Sequence, residues 1–400
     1  MKKLAIIISH PIQYYAPLFQ LLALQCELMV FYTFGKHSEK EIFDEGFKKK
    51  ISWDLPLLEN YNYYFVENKA KIPGHYFNGI KNPTLINDIR AFQPHAILIY
   101  GWSYRSHLKA IRSFKGKVPV WFRGDSTLLD PLPFWKKWIK DIFLNWVYRH
   151  LDLAFFVGQE NKSYFKRYGL KENKLIFAPH AVDNERFSED RSTEAIELRQ
   201  RFGISNEEIL ILFAGKFEAK KDPVILLEAF IKSDRPLTHL LFVGNGELEK
   251  SLKLKVNDLG KYEDGISTKE MDRRHRLAKR IHFMDFQNQT QMPVVYQTCD
   301  LFCLPSKGPN ETWGLAVSEA MASGKAILVS DKVGCTKDLV SPENGYIFKS
   351  RDLTEITGII NILEKKKLTT LGKASLIKAS SRTIKNIIDP LIKHLYKNGE

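Results

Sequence analysis

The stretch Pro305-Ser306-Lys307-Gly308-Pro309-Asn310-Glu311-Thr312-Trp313-Gly314-Leu315-Ala316-Val317-Ser318-Glu319 sets two carboxylates, Glu311 and Glu319, on either side of a helix start at Gly314. An apolar strand pattern leads in over Asp300–Leu304, and another leads out over Ala326–Ser330. A helix N-terminus at the carboxyl edge of a sheet presents backbone N–H groups without intrahelical partners, and such ends bind phosphate. Carboxylates bind sugar hydroxyls. A site offering both suits a nucleotide sugar. Glu311 and Glu319 are eight positions apart, too far for an i, i+4 pair on one helix, so their roles must differ.

A second cluster is Gly215-Lys216-Phe217-Glu218-Ala219-Lys220-Lys221-Asp222-Pro223, where a strand ends at Gly215 and a helix begins near Pro223. Lysines held beside a strand end clamp a diphosphate and stabilise it as it leaves; alone, the loop also reads as a solvated lysine-rich turn. Gly244-Asn245-Gly246 is a tight turn after another strand, resembling half of a dinucleotide fingerprint but lacking its third glycine. It lets a base or ribose approach the backbone, or is a plain turn. In the first half, His10, Gln13 and Tyr14 follow the first strand, Trp102 follows another, and Arg123 with Asp125 ends a third. These are candidates to line an acceptor site, each with an equal reading as loop packing.

Positioning these groups requires sheets. Candidate strands in the first half are Leu4–Ser9, Glu27–Thr33, His95–Gly101, Val118–Arg123, Leu153–Gly158 and Lys174–Ala178, with helical patterns between most of them. The polar stretch Asp183–Glu208 interrupts the alternation. A second series follows: Ile209–Ala214, Leu240–Gly244, Ile281–Asp285, Leu301–Pro305, Ala326–Ser330 and Tyr346–Phe348. Near-continuous apolar strands separated by helices indicate parallel sheets covered on both faces. The expected fold class is therefore α/β, two Rossmann-like doubly wound parallel-sheet domains facing a central cleft. The expected domains are 1–190 on the acceptor side, 191–375 binding the nucleotide sugar, and a C-terminal helix in 376–400 packing back on the first domain. Asn257–Lys279, charged and glycine-containing, reads as a surface loop.

The 400 residues carry a net charge of +14, which favours anionic partners. Nucleic acid is not expected, since no basic arm with interleaved aromatics and no zinc-finger spacing is present. Cys26, Cys299, Cys303 and Cys335 form no CxxC pair and read as buried thiols in a reducing compartment. The apolar start is too short for a signal peptide, and no run is long enough to span a membrane. Trp135, Trp138, Ile139, Ile142, Phe143, Trp146 and Val147 recur at helical spacing, with Lys136, Lys137, Lys140 and Arg149 off the stripe. That pattern fits a membrane-surface helix and also a core-facing one; the strand at Leu153–Gly158, following at once, favours the core.

Taken together these residues resemble glycosyltransferase family 4, the group 1 retaining glycosyltransferases of GT-B fold, most closely over about 210–348. Glu311 and Glu319 match the family's E-x7-E signature, with Pro305-Ser306, Gly314-Leu315 and Glu319-Ala320-Met321-Ala322-Ser323-Gly324 around it. Gly215-Lys216 with Lys221 matches the phosphate-binding segment. Asp338-Leu339-Val340 with Asn344-Gly345, and Pro179-His180-Ala181-Val182-Asp183, match two further stretches. The resemblance implies that Lys216 and Lys221 neutralise the donor diphosphate with help from backbone amides at Gly314, Leu315 and Ala316. It implies that Glu319 holds the ribose and Glu311 the donor sugar, and it puts Gly215, Gly244, Asn245, Asn310 and Thr312 beside the donor. The sequence departs from the family at Lys216, where a planar Arg fork is usual. It departs again at Phe122-Arg123-Gly124-Asp125, where a histidine is usual and Asp125 is the candidate substitute, and at His180 in place of Asn.

The expected activity is transfer of a hexose-like unit from a nucleoside-diphosphate sugar to a glycan or glycolipid, with retention, without metal or other cofactor, in cell-surface polysaccharide or lipopolysaccharide synthesis. The alternatives are a sugar-nucleotide epimerase or hydrolase of the same fold, or a non-catalytic sugar-nucleotide binder. The expected location is cytoplasmic, with peripheral contact on an anionic membrane face.

Overall fold

A computed structural model describes residues 1–36, 42–44, 46–233, 235–261 and 267–397. The chain forms two compact units. The first comprises Met1–Ile42, Leu55–Ala181 and Arg382–Glu400, and the second Phe43–Asp54 with Val182–Ser381. The units thus divide at Ala181 and Ser381 rather than at 190 and 375.

The first unit holds a seven-stranded sheet, in order Asn62–Phe65, Glu27–Tyr32, Lys3–Ile8, Ala96–Tyr100, Val120–Arg123, Leu153–Phe156 and Leu175–Phe177. Every neighbouring pair is parallel. Strands such as Leu4-Ala5-Ile6-Ile7-Ile8 are buried on both faces, as a parallel sheet under two helix layers demands. One layer includes the C-terminal helix Lys385–Lys397, whose Ile387, Ile388, Leu391 and Leu395 join the core beside Leu18, Phe19 and Leu22. The strand order reverses between Lys3–Ile8 and Ala96–Tyr100, so the loops after these two strands adjoin.

The second unit holds six parallel strands, in order Ile281–Met284, Thr238–Val243, Ile209–Ala214, Leu301–Leu304, Ala326–Ser330 and Gly345–Phe348. Its switch point lies between Ile209–Ala214 and Leu301–Leu304. Gly215-Lys216 and Pro305-Ser306 therefore leave the sheet side by side, although about ninety residues of sequence separate them.

Two expectations are corrected. Asn257–Lys279 is mostly helix: Glu249–Leu259 runs into it and Thr268–Ala278 fills its second half, capped by the Ser267 side chain on the N–H of Glu270. Its charge marks a solvated helix face, not a loop. The tryptophan stripe is not uniformly core-facing. The helix Phe134–Tyr148 buries only Leu144, Val147 and Tyr148, while Phe134, Trp135, Trp138, Ile139 and Ile142 are 85%, 60%, 61%, 55% and 54% exposed. Two elements went unread in the sequence. The strand Asn62–Phe65 is an edge with mostly exposed side chains, and the helix Leu85–Phe92 is amphipathic but only eight residues long, burying Leu85, Ile86 and Ile89.

His107, unremarked in the sequence, is fully buried behind the first switch point. Its Nε2 lies 2.8 Å from Thr33 Oγ1, and its Nδ1 lies 3.1 Å and 3.2 Å from the carbonyls of Tyr100 and Gly101. Burial lowers its pKa to about 4 despite those carbonyls. The folded chain resists the proton that the unfolded chain accepts near pH 6.5, so this stability is present above pH 6.5 and is lost as pH falls toward 4. His107 alone contributes about 3 kcal/mol at neutral pH by this linkage. Urea unfolding is expected to show a clear loss of stability from pH 7 to pH 5, reduced in His107→Gln; equal slopes would contradict the assignment.

Candidate functional site

In the second unit the candidate residues converge on the carboxyl edge. The six residues Ile209–Ala214 are all buried and end at Gly215. A 3-10 turn over Ala219–Lys221 then leads to the helix Pro223–Lys232, with proline in its first turn. This turn aims Lys221 back at the neighbouring loop. Its ammonium Nζ lies 3.0 Å from Glu311 Oε2, with the two side chains 16% and 8% exposed. Ser306 Oγ donates to the same oxygen at 3.2 Å. Ser306 itself is fully buried, fixed because the Ser330 hydroxyl donates to its carbonyl.

Gly314 is the residue before the helix Leu315–Ala322 and has φ +91°. A Cβ there would lie 2.7 Å from Val333 Cγ1 and 3.1 Å from Leu304 Cδ2, so the position accepts only glycine without movement. The helix starts beside Thr312 and Glu311, and its first amides, at Leu315 and Ala316, lack intrahelical acceptors by geometry. Asn310, at φ +68°, is exposed at the loop tip.

Glu319 sits inside this helix and is 3% exposed. Its carboxylate accepts from Tyr296 Oη at 2.7 Å and from Gln289 Nε2 at 3.3 Å. Gln289 in turn is held by Arg186, whose Nη1 donates to its carbonyl at 2.5 Å and whose Nη2 donates to its Oε1 at 2.9 Å. Tyr296, Gln289 and Arg186 were not singled out as site residues in the sequence, and Ser306 entered only as a flanking match. Each is an ordinary polar residue in its local pattern, and only the fold brings it to a carboxylate.

Lys216 does not share Lys221's partner. Its Nζ lies 2.8 Å and 2.9 Å from the two oxygens of Asp44, and 5.1 Å from the centre of the Phe47 ring. The glycines next to it serve loop packing. A Cβ on Gly244 would lie 2.1 Å from the Gly215 carbonyl oxygen, and Phe217 N–H donates to the Asn245 carbonyl at 2.9 Å. The Asn245 side chain is engaged within the same turn. Its amide donates to Glu249 at 3.0 Å and Asp285 at 3.2 Å, and its Oδ1 accepts from the Phe286 N–H at 2.9 Å. Its side chain therefore braces the turn whose backbone is the candidate donor contact.

In the first unit the candidates divide. His10 follows the first strand, with Nδ1 2.8 Å from Ser9 Oγ and its ring 5.0 Å from His75. Burial, then the nearby His75, lowers its pKa to about 4, so it is neutral near pH 7. His75 Nδ1 meets Tyr104 Oη at 3.0 Å. Gln13 is buried nearby in sequence, and Tyr14 is half-buried. Arg123 is tied into the fold, and Trp102 is half-buried. Arg123 is 1% exposed, and its Nη1 and Nη2 donate to the carbonyls of Ala178 and Pro179, both at 2.8 Å. Trp102 packs on Phe143 with ring centres 5.2 Å apart, against the apolar core. Asp125 remains half-exposed, 3.8 Å from His180 Nε2.

Comparison with known proteins meets this geometry in the second unit. Residues 194–383 match the family model of group 1 glycosyl transferases. The chain is 23% identical over 227 residues to the D-inositol 3-phosphate glycosyltransferase of Geodermatophilus obscurus, covering 54% of this chain and 46% of that protein. It is 28% identical over 217 residues to the N,N'-diacetylbacillosaminyl-diphospho-undecaprenol alpha-1,3-N-acetylgalactosaminyltransferase of Campylobacter jejuni, covering 53% and 51%. The match thus spans about half the length of these curated relatives. The crystal structure of Anabaena HepE in complex with UDP superposes with a TM-score of 0.71 over 99% of this chain and 100% of that one, at 16% identity. At that identity the likeness is one of fold, and the fold is GT-B. The glycosyltransferase match includes Lys216, Lys221, Glu311 and Glu319, and leaves most of the first unit outside it.

Proposed function

We propose that the chain is a retaining glycosyltransferase that takes a sugar from a nucleoside diphosphate and passes it to a glycan or glycolipid acceptor. The observation that carries this reading is the Lys221–Glu311 pair at the switch point, beside the helix that starts after Gly314. An ammonium, a row of free amides and a carboxylate within one loop cluster suit a diphosphate bonded to a sugar. Lys221 and Lys216 supply positive charge to the leaving diphosphate, which makes the reaction metal-independent in this reading. Glu311, freed from Lys221 by the phosphates, turns to the hydroxyls of the donor sugar. Glu319 takes the ribose, displacing Gln289, whose contact at 3.3 Å is longer than that of Tyr296 at 2.7 Å. Tyr296 stays and orients the carboxylate.

A thermal-shift screen of UDP-, GDP- and ADP-sugars is expected to find one donor that raises the unfolding midpoint, because a ligand that binds only the folded state stabilises it by mass action. NMR of the product formed with a lipid-linked saccharide is expected to show the donor's anomeric configuration. Rapid isomerisation of the donor without any acceptor would replace the transferase by an epimerase. Binding without turnover across an acceptor panel would leave a sugar-nucleotide binder.

The acceptor side supports a membrane location. No helix among the described residues is long and apolar enough to cross a membrane. The exposed Phe134, Trp135, Trp138, Ile139 and Ile142 instead form an apolar face, with Lys136 and Lys137 on the same helix. Aromatic side chains seated at headgroup depth beside lysines are the chemistry of an interfacial helix on anionic lipid. Co-sedimentation with phosphatidylglycerol vesicles is expected at low salt, falling tenfold or more in the Trp138→Ser/Ile142→Ser variant. Equal pelleting of the variant and the parent would remove this helix as the anchor.

A further inference from the structure

Residues 44–54 precede most of the first unit's strands in sequence, yet they belong to the second unit. Asp44 ends the strand Ile42–Asp44, which pairs with Lys49–Ile51 in a two-stranded ribbon, and a tail runs on to Asp54. Four polar contacts hold them to the loops at the carboxyl edge. Asp44 meets Lys216 at 2.8 Å, and Lys49 meets Asp285 at 3.5 Å. Asn288 Nδ2 donates to the Ser52 carbonyl at 2.6 Å, and the Thr290 N–H donates to Asp54 at 3.0 Å. Phe47 and Trp53 pack on Phe286 from two sides, with ring centres 4.8 Å and 6.2 Å away.

Asp44 is set in place by its own backbone. Its Oδ1 accepts the N–H of Gly46 at 2.8 Å and of Phe47 at 3.1 Å. Burial works to raise its pKa, but hydrogen bonds from Lys216 and those two amides outweigh it and hold the group below the usual carboxylate range. Lys216 lies across the turn. A Cβ on Gly46 would be 2.4 Å from Lys216 Cδ and 2.9 Å from its Nζ, so the lysine stem lies directly against this glycine and a side chain here would push it aside. Among oxygen groups, a carboxylate holding an ammonium in this way is the closest protein equivalent of a phosphate oxygen.

We propose that Asp44 is a positioning residue for the donor site, holding Lys216 as a stand-in for the donor diphosphate and giving the lysine up when that diphosphate arrives. This rests on the reading of Lys216 and Lys221 as diphosphate ligands. The exchange follows from charge. The Asp44–Lys216 pair is partly exposed, 26% and 32%, so it is weak and solvent-screened. A diphosphate carries more charge than one carboxylate and binds the same ammonium more strongly. Two anions cannot share one lysine without repulsion, so Asp44 and the ribbon residues Gly46–Ile51 move away as the donor binds. Asp44 thereby sets donor affinity, and it keeps Lys216 extended toward the site in the free protein.

Calorimetry with UDP, GDP, uridine and guanosine on the full chain tests this. Asp44→Asn keeps the oxygen that accepts from Gly46 and Phe47 but removes the charge. It is expected to tighten binding of the diphosphate about three- to tenfold and to leave the nucleoside unchanged. The gain is expected to vanish in the Asp44→Asn/Lys216→Met double variant. Amide exchange over Gly46–Trp53 is expected to quicken when the diphosphate is added. Unchanged or weaker diphosphate binding by Asp44→Asn, an equal gain for the nucleoside, or slowed exchange in the ribbon would overturn the proposal. If Lys221→Met weakens diphosphate binding while Asp44→Asn does nothing, only the role of Asp44 falls. If the parent binds no nucleoside diphosphate, the donor-site reading falls and takes this proposal with it.

Discussion

Under the proposed function, Lys221→Met is expected to lower kcat/KM for sugar transfer by about 10²–10³-fold, the cost of removing one fixed electrostatic contact to charge that develops in a transition state. The effect has two parts that a double variant separates. In the free protein Lys221 neutralises Glu311, whose side chain is 8% exposed and keeps only the Ser306 hydroxyl once the lysine is gone. Leaving that carboxylate uncompensated costs stability, on the order of 1–3 kcal/mol. Adding Glu311→Gln removes the unpaired charge, so Lys221→Met/Glu311→Gln is expected to unfold in urea near the parent's midpoint. Activity does not return with stability, because both groups that touch the donor in this reading are then neutral. A Lys221→Met protein within threefold of the parent's turnover would sink the assignment. Lys216→Met is expected to be milder, about tenfold, since its ammonium is more exposed and gives less to a charge already shared with solvent.

Gly244→Ala destabilises the second unit by about 3 kcal/mol or more, a fall of roughly 10 °C in its unfolding midpoint. The cause is backbone meeting backbone. Gly244 has φ +137°, and its added Cβ would lie 2.1 Å from the Gly215 carbonyl oxygen and 3.0 Å from the Gly215 carbonyl carbon. No flexible side chain is there to give way, so the loop carrying Gly215 and Lys216 must shift, and donor binding falls with stability. Gly358→Ala provides the comparison. It lies in the helix Leu353–Asn361 with nothing within 4 Å of the new Cβ, and gains up to about 1 kcal/mol from helix propensity. Differential scanning calorimetry of the two variants checks both signs, and a Gly244→Ala midpoint within 2 °C of the parent would contradict the packing account.

The alternation of apolar runs and helical patterns carried the fold class, because parallel strands buried on both faces must be continuously apolar and must be joined by crossovers. Ile209–Ala214 and Ala326–Ser330 needed no correction at either end. The helix start at Gly314 was legible for a local reason too, since a glycine before an apolar helical repeat marks a change of backbone conformation. Patterns with two uses were less secure. The tryptophan stripe of Phe134–Tyr148 has one apolar repeat for both a core and a membrane, and only the burial of Leu144 and Val147 against the exposure of Trp135 and Trp138 separates its two ends. Arg123 and Trp102 stood at strand ends, where ligands bind in this class of fold. Whether such a side chain points to a ligand or ties down a neighbouring carbonyl depends on segments far along the chain.

By itself the sequence determined most of the buried strands, that Glu311 lies in a loop and Glu319 within the helix after it, and that two lysines follow a strand end. Each of these is fixed by contacts within a few residues. The tertiary structure decided the partners. Strand order at the switch point puts Lys221, not Lys216, on Glu311 across 90 residues. The fold gives Lys216 to Asp44 across 172 residues, and Glu319 to Tyr296 and Gln289. Side-chain pairing over such separations is set by which strands lie next to each other and how loops pack at their ends, and no local periodicity encodes that.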